Sequence, residues 1–217
     1  MSKSKFYDVA KRTIDVVTAI TVGLIFSPLI ILICLAIVLD SPGPIIYRHR
    51  RVGKNGKIFY LWKFRSMYDR ADERFLSNKK FMKDFKRKEG WKFNNAGEDP
   101  RITRVGRFTR KYSLDELPNI VNILHGEMSM VGPRAYRKDL FGDEIAEMLK
   151  IYPDLSKILK VALSVKPGVT GPWQVAGRNK IPFDQRVQLD ADYAKQKSLW
   201  QDIVILLKTP FAMLNRW

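Results

Sequence analysis

The sequence predicts an α+β chain, mainly helical. It combines an N-terminal membrane helix that enters and returns, a small β-hairpin, and interfacial amphipathic helices around a globular core. Three observations carry this expectation. Residues Val16–Leu39 hold no charge. Lys54-Asn55-Gly56 separates two runs rich in β-branched and aromatic residues. Apolar residues beyond Leu114 recur at helical spacing. The expected division is 1–40 for the membrane helix, broken at Ser27-Pro28, and 41–217 for the remainder.

The uncharged run is 24 residues long, and at ~1.5 Å per residue a helix of that length spans a bilayer core. A cleaved signal has a shorter apolar stretch and a small-residue cleavage site, which Asp40-Ser41-Pro42-Gly43-Pro44 does not offer. Lys3, Lys5, Lys11 and Arg12 precede the run, and Arg48, Arg50, Arg51, Lys54 and Lys57 follow it. Both ends are therefore pulled to the cytoplasmic side. A segment that enters and returns satisfies both pulls, and a single crossing does not. Ser27-Pro28 supplies the break: proline deletes a backbone hydrogen bond and bends the helix, and the serine hydroxyl can serve a freed backbone group. Proline is also ordinary in transmembrane helices, so the basic flanks carry the argument.

Beyond the exit turn Ser41-Pro42-Gly43-Pro44, Ile45–Tyr47 and Lys57–Phe64 read as strands joined at Lys54-Asn55-Gly56. Alternation places Phe59, Leu61, Lys63 and Arg65 on one face, opposite Ile58, Tyr60, Trp62 and Phe64. Lys63 and Arg65 are thus expected to act together on one anion, the bland alternative being a solvated strand end. Tyr68–Glu89 reads as a basic helix and Trp91–Asp99 as a loop. Helical patterns follow at Asp143–Tyr152, Leu155–Leu163 and Leu199–Leu214. Trp200, Phe211 and Trp217 suit a membrane interface and a packed core equally.

The chemistry-bearing stretch is Ser113–Ala135. Ser113 reads as an N-cap with Glu116 completing a capping box, Pro118 as a first-turn proline, and Leu117, Ile120, Val121 and Leu124 as the apolar stripe. Acids at a helix start are often only stabilising, by ~0.3–1 kcal/mol each. The surroundings of Asp115 and Glu116 are strongly basic, however: Arg101, Arg104, Arg107, Arg110 and Lys111 lead into them and Arg134 follows. A helix N-terminus is a ready phosphate site. So is a Gly-rich loop, and Lys166–Arg178 is one, with Trp173, Gln174 and Arg178 as candidate ligand contacts.

Thirty-nine Lys and Arg against 22 acids give a net charge of +17, which favours nucleic acid, anionic lipid or a phosphorylated substrate as partner. The one cysteine, Cys34, excludes an internal disulfide framework. His49 and His125 lack zinc-ligand spacing, and the sequence holds no P-loop or GxGxxG. Carboxylates, cations and a metal are what is left for chemistry.

Four ordered motifs make the chain recognisable: KFRSM (63–67), DPRITRVGRFTRKYSLDELPNIVNIL (99–124), GEMSMVGPR (126–134) and KPGVTGPWQVAGR (166–178). Together they resemble the bacterial sugar transferase family, the monotopic phosphoglycosyl transferases that start glycan assembly on polyprenol phosphate. The resemblance implies a re-entrant helix and a catalytic domain facing the cytoplasm from the bacterial inner membrane. It implies transfer of sugar-1-phosphate from a UDP-sugar to undecaprenyl phosphate with release of UMP, and Mg²⁺ as cofactor. It gives Asp115 the roles of nucleophile and metal ligand, and Glu116 that of its helper. Lys63, Arg65, Arg110, Arg134, Gln174 and Arg178 are the candidates for holding phosphate or nucleotide sugar. Adjacent helical residues diverge by ~100°, so the two acids are not an opposed glycosidase pair.

Two departures stand out. The turn reads GPRA where many relatives have GPRP, which is expected to relax the geometry around Arg134. The loop reads TGPWQVAGR, which bears on sugar or nucleotide preference. A minimal form without the extra N-terminal transmembrane region of longer members is expected. Membrane lipids are expected partners and nucleic acid is not; the oligomeric state, a homodimer included, stays open. The rival readings are a membrane-tethered basic module binding lipid or nucleic acid, and an inactive scaffold. Mg²⁺-dependent release of nucleoside monophosphate separates them from an enzyme.

Overall fold

The computed structural model describes residues 3–71, 73, 99–139, 142–177 and 180–214. These residues are mainly helical, with one four-stranded and one two-stranded sheet. The chain forms two units. One comprises Met1–Ile25, Arg48–Trp62 and Asn119–Trp217, the other Phe26–Tyr47 and Lys63–Pro118. The expected helix and loop between Tyr68 and Asp99 lie almost wholly outside the described residues.

In the first unit, α1 (Lys3–Ile25) buries Ala19 against Phe59, Leu61, Ile123 and Met128. Strands β1 (Ile46–Val52) and β2 (Ile58–Phe64) form the expected hairpin around a turn at Lys54–Gly56. Asn55 (φ 54°) and Gly56 (φ 77°) both take the left-handed conformation that an Asn-Gly hairpin turn requires and that asparagine and glycine tolerate best. Behind the hairpin stands Asn122 of α4 (Asn119–Leu124). Its buried amide donates to Tyr60 O at 2.7 Å and accepts from Trp62 N at 3.0 Å.

Strands β3 (Ser129–Val131), β4 (Tyr136–Asp139), β5 (Gly142–Asp143) and β6 (Gly168–Thr170) were not legible as strands in the sequence. Two of them, β4 and β5, complete a sheet of order β2-β1-β4-β5, while β3 pairs in parallel with β6. The parallel pair depends on backbone contact. A Cβ on Gly132 would strike the Lys166 carbonyl, one on Gly168 the Gly132 and Thr170 backbone, and one on Gly171 the Gly132 carbonyl. The start of the Gly-rich loop, Gly168–Thr170, is thus a packed strand: Gly168 N–H donates to Pro133 O and Gly132 N–H to Thr170 O, each at 2.9 Å. Those donors are spent on the fold.

Helices α5 (Glu144–Ile151), α6 (Leu155–Ala162), α7 (Pro172–Ala176), α8 (Phe183–Gln196) and α9 (Leu199–Leu214) complete this unit. Asp143 caps α5, accepting from the backbone N–H groups of Ile145 and Ala146. Val52, Tyr136, Leu159 and Val187 form one core; Val131, Tyr193 and Ile205 form another. Buried Asp202 accepts from Tyr193 Oη (2.6 Å), Lys11 Nζ (3.0 Å) and Tyr7 Oη (3.1 Å), tying α1, α8 and α9 together.

The second unit begins at the break in the apolar run. Phe26 leaves the helical path and α2 (Ser27–Asp40) starts with proline in its first turn, where a missing N–H costs nothing. The break thus falls where the sequence put it, one residue before the Ser-Pro pair. Among the described residues no single helix is long and apolar enough to cross a membrane; α1 and α2, a bent pair, pass that test only together. Much of α2 is bare: Ile31, Leu32, Leu35 and Leu39 are 57–87% exposed. Its other side buries Ile33 and Ile37 with Phe64, against Val105, Leu114 and Leu117. Asp40 Oδ2 accepts from Val105 N at 3.0 Å, and Thr103 Oγ1 from Gly106 N at 2.9 Å, capping α3 (Arg104–Lys111).

Candidate active site

The chain reverses after α3. Ser113 takes φ 56°, a left-handed conformation, and Leu114–Glu116 form a single 3₁₀ turn. The capping box expected at Ser113 is therefore not made: an N-cap needs extended backbone, and Ser113 accepts no capping bond. Pro118 is the cause. It is the fifth residue after Ser113, so its absent N–H is the one a continuous helix would send to the Leu114 carbonyl. The turn closes with Glu116 N donating to Ser113 O and Leu117 N to Leu114 O, both at 3.2 Å, and α4 restarts beyond the proline. Its buried face is Asn119, Asn122 and Ile123, while Leu124 of the expected stripe is 40% exposed.

This turn sets the acids. Leu114 and Leu117 pack into the second unit's core, which turns Asp115 inward, 6% exposed, with Glu116 nearer the surface. Lys63 Nζ sits at 2.8 Å from Glu116 Oε1 and 3.5 Å from Asp115 Oδ2. Asp115 Oδ1 is buried and has no hydrogen-bond partner among the described residues. A desolvated carboxylate oxygen without a partner is costly, and here it lies beside an ammonium group. Arg110, at the end of α3, donates Nε–H to Ser66 Oγ at 2.8 Å. A Cβ on Gly106 would collide with the Ser66 carbonyl, so glycine lets α3 seat directly on the residue after Arg65.

Arg65 does not share an anion with Lys63. It lies beyond β2, 4% exposed, and donates to the carbonyls of Ser41 (2.5 Å), Pro42 (2.6 Å) and Ile37 (3.2 Å). Ile37 O also accepts from Ser41 N at 3.3 Å, and Ser41 and Pro42 lie just beyond α2, so the guanidinium clamps the chain's exit from the helix where a cation meets the negative end of the helix dipole. Burial lowers its pKa, with Asp69 and Asp40 opposing. Strand alternation could not foresee this, since Arg65 is already outside the strand.

The other candidates belong to the first unit and form a cluster of their own. Arg134 N donates to Asp190 Oδ2 at 3.0 Å, its Nε lies 3.5 Å from Glu144 Oε1, and its guanidinium stands 5.0 Å from the Trp173 ring centre. Arg186 faces the same ring at 5.5 Å, two cations on one indole. Arg134 is thus approached on three sides, although its buried Nε has no hydrogen-bond partner among the described residues. Asp190 is fully buried, and desolvation pushes its pKa up to about 7 against the pull of the Arg134 N–H. Neither its Oδ1 nor the hydroxyl of adjacent Tyr136 has a hydrogen-bond partner among the described residues; burial raises the Tyr136 pKa as well. Gln174 turns Nε2 towards Val169 O at 3.5 Å, and Arg178 lies outside the described residues. Sequence reasoning missed Asp190, Glu144, Tyr136 and Arg186. The one signal was Asp190 within the apolar LDADY run, an acid on a helix face that had to be buried.

Among the described residues no three His, Cys, Asp or Glu gather as a metal cage. Mg²⁺ seldom needs one, because it takes one or two carboxylates and completes its shell with substrate phosphates and water. Asp115, with its unpartnered buried oxygen, fits that donor set.

Comparison with known proteins places these residues in context. The family model for the bacterial sugar transferases matches residues 6–216. The chain is 44% identical over 214 residues to an undecaprenyl-phosphate galactose phosphotransferase of Salmonella typhimurium, covering 95% of this chain and 40% of that protein. It is 39% identical over 209 residues to the exopolysaccharide production protein ExoY of Rhizobium meliloti, covering 95% and 87%. It is 36% identical over 206 residues to a UDP-glucose:undecaprenyl-phosphate glucose-1-phosphate transferase of Escherichia coli, covering 93% and 39%. The chain thus spans about two fifths of some relatives and most of another. With its motifs in order and the match running almost end to end, the chain belongs to the bacterial sugar transferase family.

Proposed function

We propose that the protein is a phosphoglycosyl transferase moving sugar-1-phosphate from a UDP-sugar to undecaprenyl phosphate, in the first membrane step of a surface or exported glycan. The observation that carries this reading is the Asp115–Glu116–Lys63 cluster, with one buried Asp115 oxygen left without a partner. An electrophilic phosphorus satisfies that oxygen. Asp115 attacks the sugar-bearing phosphorus, the bond to the UMP oxygen breaks, and UMP leaves; an aspartyl phosphosugar remains. An oxygen of undecaprenyl phosphate then attacks the same phosphorus and the Asp115 carboxylate departs, giving the lipid diphosphate sugar. Lys63 bridges the two acids, so it offsets their mutual repulsion and the charge of the arriving diphosphate. Glu116 helps orient its neighbour or the acceptor.

Mg²⁺ held by Asp115 would supply charge neutralisation on the diphosphate. Arg134, steered by Asp190, Glu144 and Trp173, and Arg110 are the cations assigned to phosphate. Residues 1–40 serve as a re-entrant membrane helix, supported by the break at Phe26 and the bare apolar surface of α2. Residues 41–217 then face the cytoplasm beside the headgroups, where a long polyprenyl tail stays in the lipid.

The test is UMP release by purified protein with Mg²⁺ and a panel of UDP-sugars, with and without undecaprenyl phosphate. Release is expected only with the acceptor for full turnover, and is expected to vanish in Asp115→Asn. Well-folded protein that releases no UMP across the panel overturns the reading and favours a lipid-binding scaffold.

A further inference from the structure

Ser66 lies two residues beyond β2 and is 8% exposed. Nothing in the transfer reaction as described uses it. Its hydroxyl oxygen accepts the Arg110 Nε–H at 2.8 Å, a bond strengthened by the charge on the donor. The nitrogen involved matters. Nε is the root of the guanidinium, so a bond there spends a single N–H and stops the planar group from swinging on its stem. The Nη groups form the end of the fork that meets a phosphate bidentately, and the Nε bond sets where they point. An arginine side chain is rich in rotamer entropy, which an unanchored Arg110 would lose each time it gripped a ligand.

The hydroxyl is mounted on the same frame as the guanidinium it holds. Ser66 O accepts from the N–H of Thr103, the N-cap of α3, at 3.2 Å. Met67 and Ile102 form an antiparallel bridge, and Tyr68 N donates to Arg101 O at 2.9 Å. Gly106 then brings α3 onto the Ser66 carbonyl, with no room for a Cβ between them. Gly106 and Arg110 are four residues apart on α3 and share a face. The face that seats on the Ser66 backbone is therefore the one that carries Arg110 to the Ser66 side chain.

Both ends of this frame run into the acid cluster of the second unit. Ser113 N donates to Arg110 O at 3.2 Å, so the turn bearing Asp115 and Glu116 hangs from the residue whose side chain Ser66 holds. Lys63, which reaches both acids, leaves β2 three residues before Ser66. Within the short segment Lys63–Met67 one side chain serves the carboxylates, one clamps the exit of α2, and one holds an arginine at the end of α3.

We propose that Ser66 is a positioning residue, presetting the Arg110 guanidinium for a substrate phosphate. The inference rests on the transferase reading above and deepens it. The phosphate is either that of the nucleotide-sugar donor or that of the polyprenyl acceptor, and Ser66 acts on it only through Arg110.

The experiment is a double-mutant cycle on the full chain: wild type, Ser66→Ala, Arg110→Gln and the pair. UMP release gives kcat and the KM values for the best UDP-sugar of the panel and for undecaprenyl phosphate. Ser66→Ala is expected to raise one KM by ~10-fold, the scale of one charge-assisted hydrogen bond, with kcat within about threefold. A rise in the UDP-sugar KM assigns the donor diphosphate, and a rise in the undecaprenyl phosphate KM assigns the acceptor. Arg110→Gln is expected to raise the same KM by at least as much, and the pair to match Arg110→Gln alone. A serine needed only for folding lowers the active fraction, which lowers apparent kcat and leaves both KM values alone. That result, or losses that multiply in the pair, overturns the proposal. Equilibrium binding of UDP and of undecaprenyl phosphate to the same four chains separates this failure from that of the transferase reading. A wild type that releases no UMP, yet binds one of these ligands with the same non-multiplying losses, loses the reaction and keeps the positioning role. Binding indifferent to Ser66, with no UMP release, removes both.

Discussion

Asp115 and Asp190 are both buried carboxylates with one oxygen lacking a partner, yet their surroundings differ in one respect. Asp115 has an ammonium group 3.5 Å away and a second acid next in sequence. Asp190 has a backbone N–H of Arg134, and neither that bond, the Arg134 charge nor the adjacent Tyr136 offsets its complete burial. A nearby cation stabilises charge, whereas desolvation alone favours the proton. The first arrangement is the one the proposed reaction uses as its nucleophile; the second makes a proton-binding strut that fixes the Arg134 turn. Burial by itself therefore does not identify chemistry in this protein, and the company a carboxylate keeps does.

The largest expected effect breaks the comparison at its chemical end. Asp115→Asn is expected to lower UMP release by at least ~10³-fold with an unchanged or slightly raised melting temperature, since a buried charge is removed. Comparable turnover in the variant would erase the distinction between the two acids. At the other end, the Asp190 pKa is raised from its unfolded value of 3.8 to about 7. The folded state then holds a proton that the unfolded state has lost, so this contribution is fully present below pH ~4 and disappears as pH rises to ~7. Its size is on the order of 4 kcal/mol. The difference in unfolding free energy between wild type and Asp190→Asn, followed by denaturant titration across that window, should fall with rising pH; a flat difference would sink the strut.

The neighbours sharpen the contrast further. Lys63→Met is expected to cost ~10²-fold in UMP release per folded molecule and some stability as well, because it strands two acids at a site built for three charges. Arg65→Met is expected to cost stability alone: a loss of ~2 kcal/mol as the Ile37, Ser41 and Pro42 carbonyls lose their guanidinium donor, with turnover per folded molecule changed less than about threefold. Kinetics and urea melts on the same preparations read both. If the two substitutions behave alike, the division of labour between these cations is wrong.

Much of this was legible beforehand, for local reasons. Asn55-Gly56 dictates its own turn, Ser27-Pro28 marks the helix break that falls beside it at Phe26, and Asp143 announces the start of α5. Sequence reasoning assigns Lys63 to phosphate binding and Asp115 and Glu116 to catalysis; the structure brings the three together. What stayed hidden was settled at a distance. The capping-box pattern at Ser113 was locally sound, but Pro118 cut the helix from five residues away. Strands of two to four residues, such as β3 and β6, are too short to alternate, and the glycines around them were read as phosphate-binding when they serve backbone contact. Arg65 looked like a partner for Lys63 because strand periodicity was carried one residue past the strand's end. Asp190 and Tyr136 acquire their character only from the side chains packed over them.

The backbone contacts among Gly132, Gly168 and Gly171 have a practical corollary. Where main chains touch, a single methyl group acts as a wedge that no side-chain rearrangement can absorb. Gly168→Ala therefore offers a thermal switch. On the proposed function, cells carrying it would build the glycan when cool and stop when warmed, with every side chain assigned to the reaction intact, so glycan supply could be timed by a shift in growth temperature.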